Sequence, residues 1–285
     1  MLANLKQRNV VQLLGFCMYG GWFGFGKGLY VCNEFFSVGS LDKYISASTN
    51  NPQVPLKWAI RYKIIRGICI GLEYLHEQCN KTVAHLDLKP SNILLDKEMV
   101  PKIADFGLSR AFVITKTHTY TAAAMGTNGY MAPELTERKE KGSRVGKKCD
   151  IYSLGVLILA IVMGEGPTAT SDPNGVTFIR KIRERTEKRM KEPSADENRK
   201  QLKRDASLGD DDCLEDVEKC IDLAFKCVEK EPEKRPSATD ICGRLLPPVP
   251  STDTTRDHVA LEVGDQQEEF VEGLDELHLL SSGEE

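Results

Sequence analysis

The chain has 285 residues, of which 41% are hydrophobic and 28% are charged, so it is long enough to bury a substantial core in one large domain or two lobes. Its nine cysteines are odd in number and include no C-x-x-C pair, which argues against a disulfide framework and against a zinc site. The net charge of −4 is uneven: residues 251–285 carry eleven acidic side chains and one Arg, which leaves +6 on the first 250 residues. We therefore expect a mildly basic folded part, suited to binding phosphate, and an acidic flexible tail.

Nothing in the sequence resembles a membrane anchor. The first residues, MLANLKQRNV, contain no apolar core of a signal peptide. The longest apolar run, residues 154–163, is much shorter than the ~20 residues that a membrane-spanning helix needs. We therefore predict that no part of this chain crosses a membrane, and that the protein works in a reducing, cytoplasmic compartment.

Hydrophobic patterns predict the elements in chain order. Residues 1–9 are typical of the end of a helix, and the stretches 10–18 and 29–35 predict two strands joined by a glycine-rich turn. Ile and Leu at spacings of three and four predict a long amphipathic helix over residues 56–76. Asp150 begins the most apolar segment, DIYSLGVLILAIVMG, which predicts a buried helix with Asp150 as its cap.

The last third of the chain predicts helices followed by a tail. Residues 177–204 are rich in Lys and Arg, but acidic residues are interleaved and aromatic residues are nearly absent. This pattern favours a solvated helix face and a charged loop, so no nucleic-acid partner is predicted. Two further helices are predicted over residues 212–229 and 237–246, and the composition after Pro247 is that of a mobile tail.

The most informative stretch is residues 82–110, TVAHLDLKPSNILLDKEMVPKIADFGLSR, which holds two polar motifs beside apolar runs of strand type. The first motif contains His85, Asp87, Lys89 and Asn92, and Asp105 begins the second, Asp-Phe-Gly, thirteen residues after Asn92. Phosphoryl transfer needs a carboxylate that orients the acceptor hydroxyl, a cation on the moving phosphate, and hard oxygen ligands for Mg²⁺. Asp87 would supply the carboxylate and Lys89 the cation, while Asn92 and Asp105 would hold the metal.

These motifs resemble the catalytic loop and the metal-binding segment of eukaryotic protein kinases, in the form found in plant receptor-like kinases. The resemblance continues downstream, in the family's order, through Gly126, Thr127, Gly129, Tyr130, Ala132, Pro133, Glu134, Asp150, Arg235 and Pro236. It implies an α+β, protein-kinase-like fold with a partial small β lobe in residues 1–35, a complete helical large lobe in 36–246 and an acidic tail in 247–285. It also implies a Ser/Thr protein kinase that uses ATP and Mg²⁺ to phosphorylate protein substrates in receptor-type signalling.

The resemblance assigns roles on both sides of the site. Thr127 would contact Asp87 and Lys89, and Thr127 and Lys89 together favour Ser or Thr over Tyr as the acceptor. On the nucleotide side, backbone groups of Glu34 and Phe36 would hydrogen-bond adenine. Asp42 would reach the ribose hydroxyls, although a solvated loop side chain is an equally good interpretation of Asp42.

Two structural roles follow from the same resemblance. Glu134 and Arg235 resemble a buried ion pair that anchors the end of the activation segment, the stretch that begins at Asp105. Asp150 resembles a carboxylate that braces the backbone of the catalytic loop, a role that is compatible with a helix cap.

The chain departs from the family pattern before its first predicted strand. It contains no glycine-rich phosphate loop, no strand lysine and no helical glutamate there. Gly24, Gly26 and Gly28 with Lys27 favour a flexible hairpin turn over a phosphate loop, because no strand lysine follows them. The alternative function is therefore a truncated, catalytically inactive kinase-like module that acts by binding partners.

A further expectation is a membrane-anchored receptor portion upstream, with the chain on the cytoplasmic side of the plasma membrane.

A second departure concerns regulation. Leu86 stands where many kinases have an arginine that pairs with a phosphate on the activation segment, and leucine cannot form such a pair. We therefore expect that phosphorylation of that segment does not switch this protein in the usual way.

Overall fold

The structure, a computed structural model, describes residues 5–19, 28–45, 56–112, 118–121, 126–137, 143–167, 172–191 and 214–246. All of them belong to one unit, Met1–Pro247, while the second unit, Pro248–Glu285, lies outside the described residues. The predicted glycine-rich turn and acidic tail also lie outside them, and the division into two lobes and a tail stays a prediction. In the part of the chain that is described, no helix has both the length and the apolar character needed to cross a membrane.

Short strands form four small antiparallel sheets in the described residues. They are β1 (Leu13–Tyr19), β2 (Gly28–Asn33), β3 (Gly39–Ser40), β4 (Thr82–Ala84), β5 (Ile93–Leu95), β6 (Pro101–Ile103), β7 (Arg110–Phe112), β8 (His118–Thr121) and β9 (Ser143–Gly146). β1 pairs with β2, β4 with β7, and β8 with β9, while β5 lies between β3 and β6. The register places Ile93 opposite Ile103 and Val83 opposite Ala111, so both predicted polar motifs lie at strand ends in the same region.

In the described residues, one short helix lies before residue 56 and six helices lie after it. They are α1 (Asp42–Ile45), α2 (Trp58–Glu73), α3 (Pro133–Thr136), α4 (Lys147–Met163), α5 (Val176–Lys191), α6 (Leu214–Cys227) and α7 (Ala238–Leu245). A π-helical turn, Tyr74–Gln78, extends α2, and 3-10 turns lie at Pro90–Asn92, Phe106–Leu108 and Pro232–Lys234. These helices and small antiparallel sheets confirm the predicted α+β class.

Helix α4 lies at the centre of the core because it is apolar on all sides. Every residue from Cys149 to Val162 is buried, as expected for a helix without a polar face. Gly155 lets α6 come close: a Cβ at this position would lie 2.7 Å from the Cβ of Cys227. The prediction of a buried helix here is confirmed.

The predicted start of α4 was wrong by three residues. The helix begins at Lys147, and its N-cap residue is Gly146, which has no side chain that could accept a capping hydrogen bond. Asp150 therefore lies inside the first turn of the helix and does not cap it. Its carboxylate is used elsewhere, in the site described below.

The segment before β1 also differs from its prediction. Residues 5–9 contain a turn rather than the end of a helix, and Val10 forms an isolated bridge with Ile103. The reason lies in Asn9, whose carbonyl accepts a hydrogen bond from Ile103 N at 2.8 Å and whose Nδ2 donates to Pro101 O at 2.9 Å. These contacts with β6 replace the local bonds of a helix.

Candidate active site

A single buried carboxylate fixes the backbone of the catalytic loop, residues 85–92. Asp150 is fully buried, and its two oxygens accept hydrogen bonds from His85 N at 2.8 Å and Leu86 N at 2.7 Å. Leu86 has φ of 69°, a conformation that costs energy for a residue with a side chain and persists when surrounding contacts over-determine it. The predicted brace of the loop backbone by Asp150 is confirmed. Its hydrogen bond to Leu86 N helps to hold a residue with a side chain at this positive φ.

His76 is a further partner of Asp150 that sequence reasoning missed. Its Nε2 lies 2.8 Å from Asp150 Oδ2, and both side chains are completely buried. His76 belongs to the π-helical turn after α2, about seventy residues before Asp150 in the chain. No local motif links the two residues, so only the tertiary structure could have identified the pair.

His85 connects the catalytic loop to the segment that carries Asp105. Its Nε2 lies 2.9 Å from Ala104 O, and its Nδ1 accepts from Asp87 N at 3.3 Å, which together indicate a neutral ring with the proton on Nε2. Burial lowers the pKa of His85, against the opposing effects of the Asp150 charge and the Ala104 hydrogen bond. The histidine is therefore a neutral structural link rather than an acid or base.

The predicted catalytic side chains Asp87, Lys89, Asn92 and Thr127 form one cluster. Thr127 Oγ1 donates to Asp87 Oδ1 at 2.6 Å, and Lys89 Nζ lies 2.9 Å from Asp87 Oδ2 and donates to Thr127 Oγ1 at 2.7 Å. Asn92 Nδ2 donates to Asp87 Oδ2 at 3.0 Å and to the Asp87 carbonyl at 2.9 Å. The carboxylate of Asp87 is thus held by three side chains from two segments of the chain.

These contacts keep Asp87 ionised. Burial alone would raise the pKa of Asp87, but the hydrogen bonds from Thr127 and Lys89, the charge of Lys89 and the hydrogen bond from Asn92 outweigh it. The pKa of Asp87 is therefore below its ordinary value. A carboxylate of this kind can orient a hydroxyl group and receive its proton late in a reaction.

Asp105 is exposed and lies two residues after the end of β6. The residue before it, Ala104, is fixed at both ends, because its N–H donates to Asn92 O at 2.9 Å and its carbonyl accepts from His85. Asp105 has φ of 64°, and its Oδ1 accepts from Gly107 N at 3.2 Å. The ring of Phe106 packs edge-on against His85, with ring centroids 5.0 Å apart.

The donor atoms near Asn92 and Asp105 fit magnesium. Nδ2 of Asn92 is used by Asp87, which leaves the amide oxygen to act as a ligand, and Asp105 adds an exposed carboxylate. In the described part of the chain, no group of three or more His, Cys, Asp or Glu side chains could hold a metal ion. Magnesium suits such a sparse site, since it is usually bound by one or two protein oxygens together with waters and substrate phosphates.

On the nucleotide side, the contacts are fewer. Glu34 follows β2, and its Oε1 accepts from Gln12 N at 3.1 Å. The carbonyl of Phe36 accepts from Gly39 N at 3.1 Å in a turn, so this carbonyl already has a partner. These two residues lie in one extended connection, but no described contact joins them to Asp87.

Asp42 lies closer to the cluster. It begins α1, directly after Leu41, whose N–H donates to Ile93 O at 2.9 Å and so ties α1 to the end of the catalytic loop. Its Oδ1 is buried and has no hydrogen-bond partner in the described residues. A buried carboxylate oxygen without a donor is costly, so this atom is a candidate acceptor for a ligand hydroxyl.

The predicted ion pair below the site is confirmed. Arg235 donates to both oxygens of Glu134, with Nη1 to Oε1 at 2.7 Å and Nη2 to Oε2 at 2.8 Å. Arg235 is fully buried, and its guanidinium also donates to three backbone carbonyls and lies 5.0 Å from the ring centroid of Tyr152. The pair fixes α3, which follows the segment that carries Thr127.

Comparison with known proteins identifies the family of the chain. The family model "Protein kinase domain" matches residues 1–245. Cysteine-rich receptor-like protein kinases 14 and 19 of Arabidopsis thaliana are 37% and 36% identical to the chain over 252 and 250 residues, which cover 86% of the chain and 34% and 35% of those proteins. Cysteine-rich receptor-like protein kinase 44 of the same plant is 36% identical over 252 residues, or 60% of its length. The chain spans about a third of the length of the first two relatives.

Proposed function

Because this chain belongs to the protein kinase family, we propose that it transfers the γ-phosphate of ATP to Ser and Thr hydroxyls of protein substrates. The observation that carries the proposal is the cluster in which the Asp87 carboxylate accepts hydrogen bonds from Thr127, Lys89 and Asn92. The cluster supports the proposal because it holds a negative charge, which would serve the acceptor hydroxyl, beside a cation, which would serve the moving phosphate. Those are the groups that phosphoryl transfer requires of a protein.

In this proposal, Asp87 orients the acceptor hydroxyl and receives its proton. The low pKa of Asp87 makes it a weak base, which suits a loose transition state in which the hydroxyl loses its proton late. Lys89 is only partly exposed and already lies near Asp87, so its cation can stabilise the γ-phosphate. Thr127 holds both side chains in place.

The nucleotide would lie between the cluster and the connection after β2. Backbone groups of Glu34 and Phe36 would contact adenine. Oδ1 of Asp42, which has no hydrogen-bond partner among the described residues, would accept from a ribose hydroxyl. Asn92 and Asp105 would hold Mg²⁺, which when bound neutralises the charge that develops on the phosphates.

We also propose a role in receptor-type signalling. This part rests on the relatives, whose names describe them as receptor-like protein kinases. In such a protein, the kinase segment would act on the cytoplasmic side of the plasma membrane, joined to an upstream receptor portion.

The direct test is transfer of radiolabelled γ-phosphate from Mg-ATP to a generic basic protein substrate by the purified 285-residue chain. We expect transfer by the unmodified chain and none by Asp87→Ala or Asp105→Asn. Asp222→Asn, on an exposed position of α6, is the matched control and should keep full activity. Phosphoamino-acid analysis should find phosphoserine and phosphothreonine.

Two results would contradict the proposal. If the unmodified chain transfers no phosphate although it is folded, the alternative of a partner-binding module without catalysis is favoured. If Asp87→Ala transfers phosphate as fast as the unmodified chain, then Asp87 is not the residue that serves the acceptor.

A further inference from the structure

The segment that follows Thr127 is held from outside by the loop before α5. We call residues 126–133 the acceptor segment. Thr127 contacts Asp87 and Lys89, so a peptide whose hydroxyl reaches Asp87 must pass the next few residues of this segment. The position of their backbone therefore decides how well an acceptor peptide fits.

Three hydrogen bonds tie the acceptor segment to this loop. The carbonyl of Pro173 accepts from Gly129 N at 2.8 Å and from Met131 N at 3.1 Å. The side chain of Asn174 completes the set, since its Nδ2 donates to Met131 O at 2.7 Å. Of the three bonds, only the one from Asn174 depends on the identity of a side chain.

Asn174 is itself fixed from two sides. Its Oδ1 accepts from Thr136 Oγ1 at 3.2 Å, and its backbone carbonyl accepts from Tyr152 OH at 2.7 Å. Tyr152 is buried in α4, and its ring lies under the guanidinium of Arg235. The amide that reaches Met131 is thus connected to the buried helix α4.

The loop and the acceptor segment touch through their backbones. Gly175 has φ of 65°, and a Cβ at this position would lie 2.3 Å from Gly129 O, so a residue with a side chain could not sit there without movement. From the other side, Ser153 Oγ in α4 donates to Tyr130 O at 2.7 Å. Because the two backbones are in contact, no side chain lies between them that could adjust when Asn174 is changed. A shift of the loop therefore moves the backbone of the acceptor segment.

We propose that Asn174 is a positioning residue for the acceptor peptide: it fixes the backbone at Met131, and through it the surface that the peptide meets beside Asp87. The effect on the acceptor peptide rests on the proposed kinase function. The contact itself is independent of catalysis, so the two can be tested separately.

The test compares Asn174→Ala and Asn174→Asp with Asp172→Ala. Asn174→Asp keeps the acceptor for Thr136 but replaces the donor to Met131 O with a carboxylate oxygen. Asp172→Ala is the matched control in the same loop, because Asp172 accepts from Val176 N and Thr177 N at the start of α5 and makes no described contact with the acceptor segment. Amide hydrogen exchange of residues 126–133 and the KM of a synthetic serine peptide are measured for each variant.

Both Asn174 variants should exchange the amides of the acceptor segment about five- to tenfold faster, as expected for the loss of one hydrogen bond. They should raise the peptide KM by about the same factor, with kcat and the KM for ATP unchanged. Asp172→Ala should change neither the exchange in this segment nor the peptide KM. That split between the two KM values is not expected of a general loss of stability.

Unchanged exchange in Asn174→Ala, or equal effects of Asp172→Ala and Asn174→Ala, would overturn the proposal. So would an Asn174→Asp variant that behaves like the unmodified chain. If the unmodified chain transfers no phosphate, the proposed function fails while the exchange experiment still decides the role of Asn174. In that case the Kd of the labelled peptide, from fluorescence anisotropy, replaces its KM.

Discussion

The two sides of the candidate site are held in different ways. On the acceptor side, Asp87, Lys89 and Thr127 form side-chain contacts of 2.6–2.9 Å, and Asp150 fixes the backbone from below. On the nucleotide side, the connection after β2 is open to solvent: Phe35 is 89% exposed, and Glu34 has one described hydrogen bond.

The difference shows which side chains this fold must hold in a fixed orientation. Groups that stabilise charge in a transition state work only if they are oriented before the reaction, so their own hydrogen bonds must be complete. Hydrogen bonds from backbone atoms to a nucleotide base depend on the course of the backbone and not on the side chains. The side chains of these residues can therefore be exposed. We therefore expect substitutions to have larger effects on the acceptor side than on the nucleotide side.

The largest effect is expected when the buried ion pair between Arg235 and Glu134 is broken. Arg235→Ala leaves Glu134 buried without its cation, and breaking a buried pair in this way costs about 3–5 kcal/mol of unfolding free energy. Denaturant unfolding measures the loss. Arg144→Ala is the matched control, because its pair with Glu233 is partly exposed and should contribute only about 0–1 kcal/mol. Equal losses in the two variants would refute the special role of the buried pair.

A smaller effect is expected from Thr127→Ala, which removes the hydrogen bond to Asp87 Oδ1. A hydrogen bond to a charged group contributes about 1.5–3 kcal/mol, so kcat/KM should fall about tenfold or more. The pKa of Asp87 should rise, because a donor that favours the ionised form is lost. The acid limb of the pH–rate profile should therefore move to higher pH. Thr127→Ser keeps the hydroxyl and should restore the unmodified profile, and an unmoved limb in Thr127→Ala would exclude this coupling.

On the nucleotide side, we expect a weaker effect from Asp42→Asn. The substitution removes charge from a buried oxygen that has no described donor, so stability should stay the same or increase. If the oxygen accepts from ribose, the KM for ATP should rise about threefold, which is the size of one ordinary hydrogen bond. Lys43→Ala, the exposed neighbour in α1, is the control. An unchanged KM for ATP would exclude a contact between Asp42 and the ribose.

The smallest effect is expected in the activation segment. Replacing Thr117, Thr119, Tyr120 and Thr121 together by Ala should leave transfer nearly unchanged, because Leu86 cannot pair with a phosphate there. Strand β8 pairs with β9 through backbone hydrogen bonds, which alanine retains, while Thr117 lies outside the described residues. A loss of transfer of about tenfold or more would mean that the activity depends on these hydroxyls.

Much of the acceptor side could be predicted because its residues are close in sequence or belong to ordered motifs. Asp87, Lys89 and Asn92 lie within six residues, and the cluster that they form with Thr127 agrees with the contact expected for Thr127. The boundaries of β1, β2 and α2 were predicted to within a few residues for the same reason, since periodicity is a local property.

The errors and omissions share one cause. The helical end before β1 and the cap at Asp150 were wrong because Asn9 and Asp150 use their polar groups on distant segments. His76 and Asn174 were missed because their partners lie many residues away and follow no spacing rule. Local patterns cannot reveal which remote donor a buried acceptor will meet.

Composition and spacing in the sequence determined the apolar central helix and the charged groups around Asp87, because they fix which faces must be buried and which side chains are available. The α+β class and the brace by Asp150 were predicted from the resemblance of the sequence motifs to protein kinases. Only the tertiary structure decided that His76 pairs with Asp150, that Leu86 takes a positive φ, and that Asn174 reaches Met131. These features depend on close packing around α4, where a buried polar group must find a partner wherever the fold provides one.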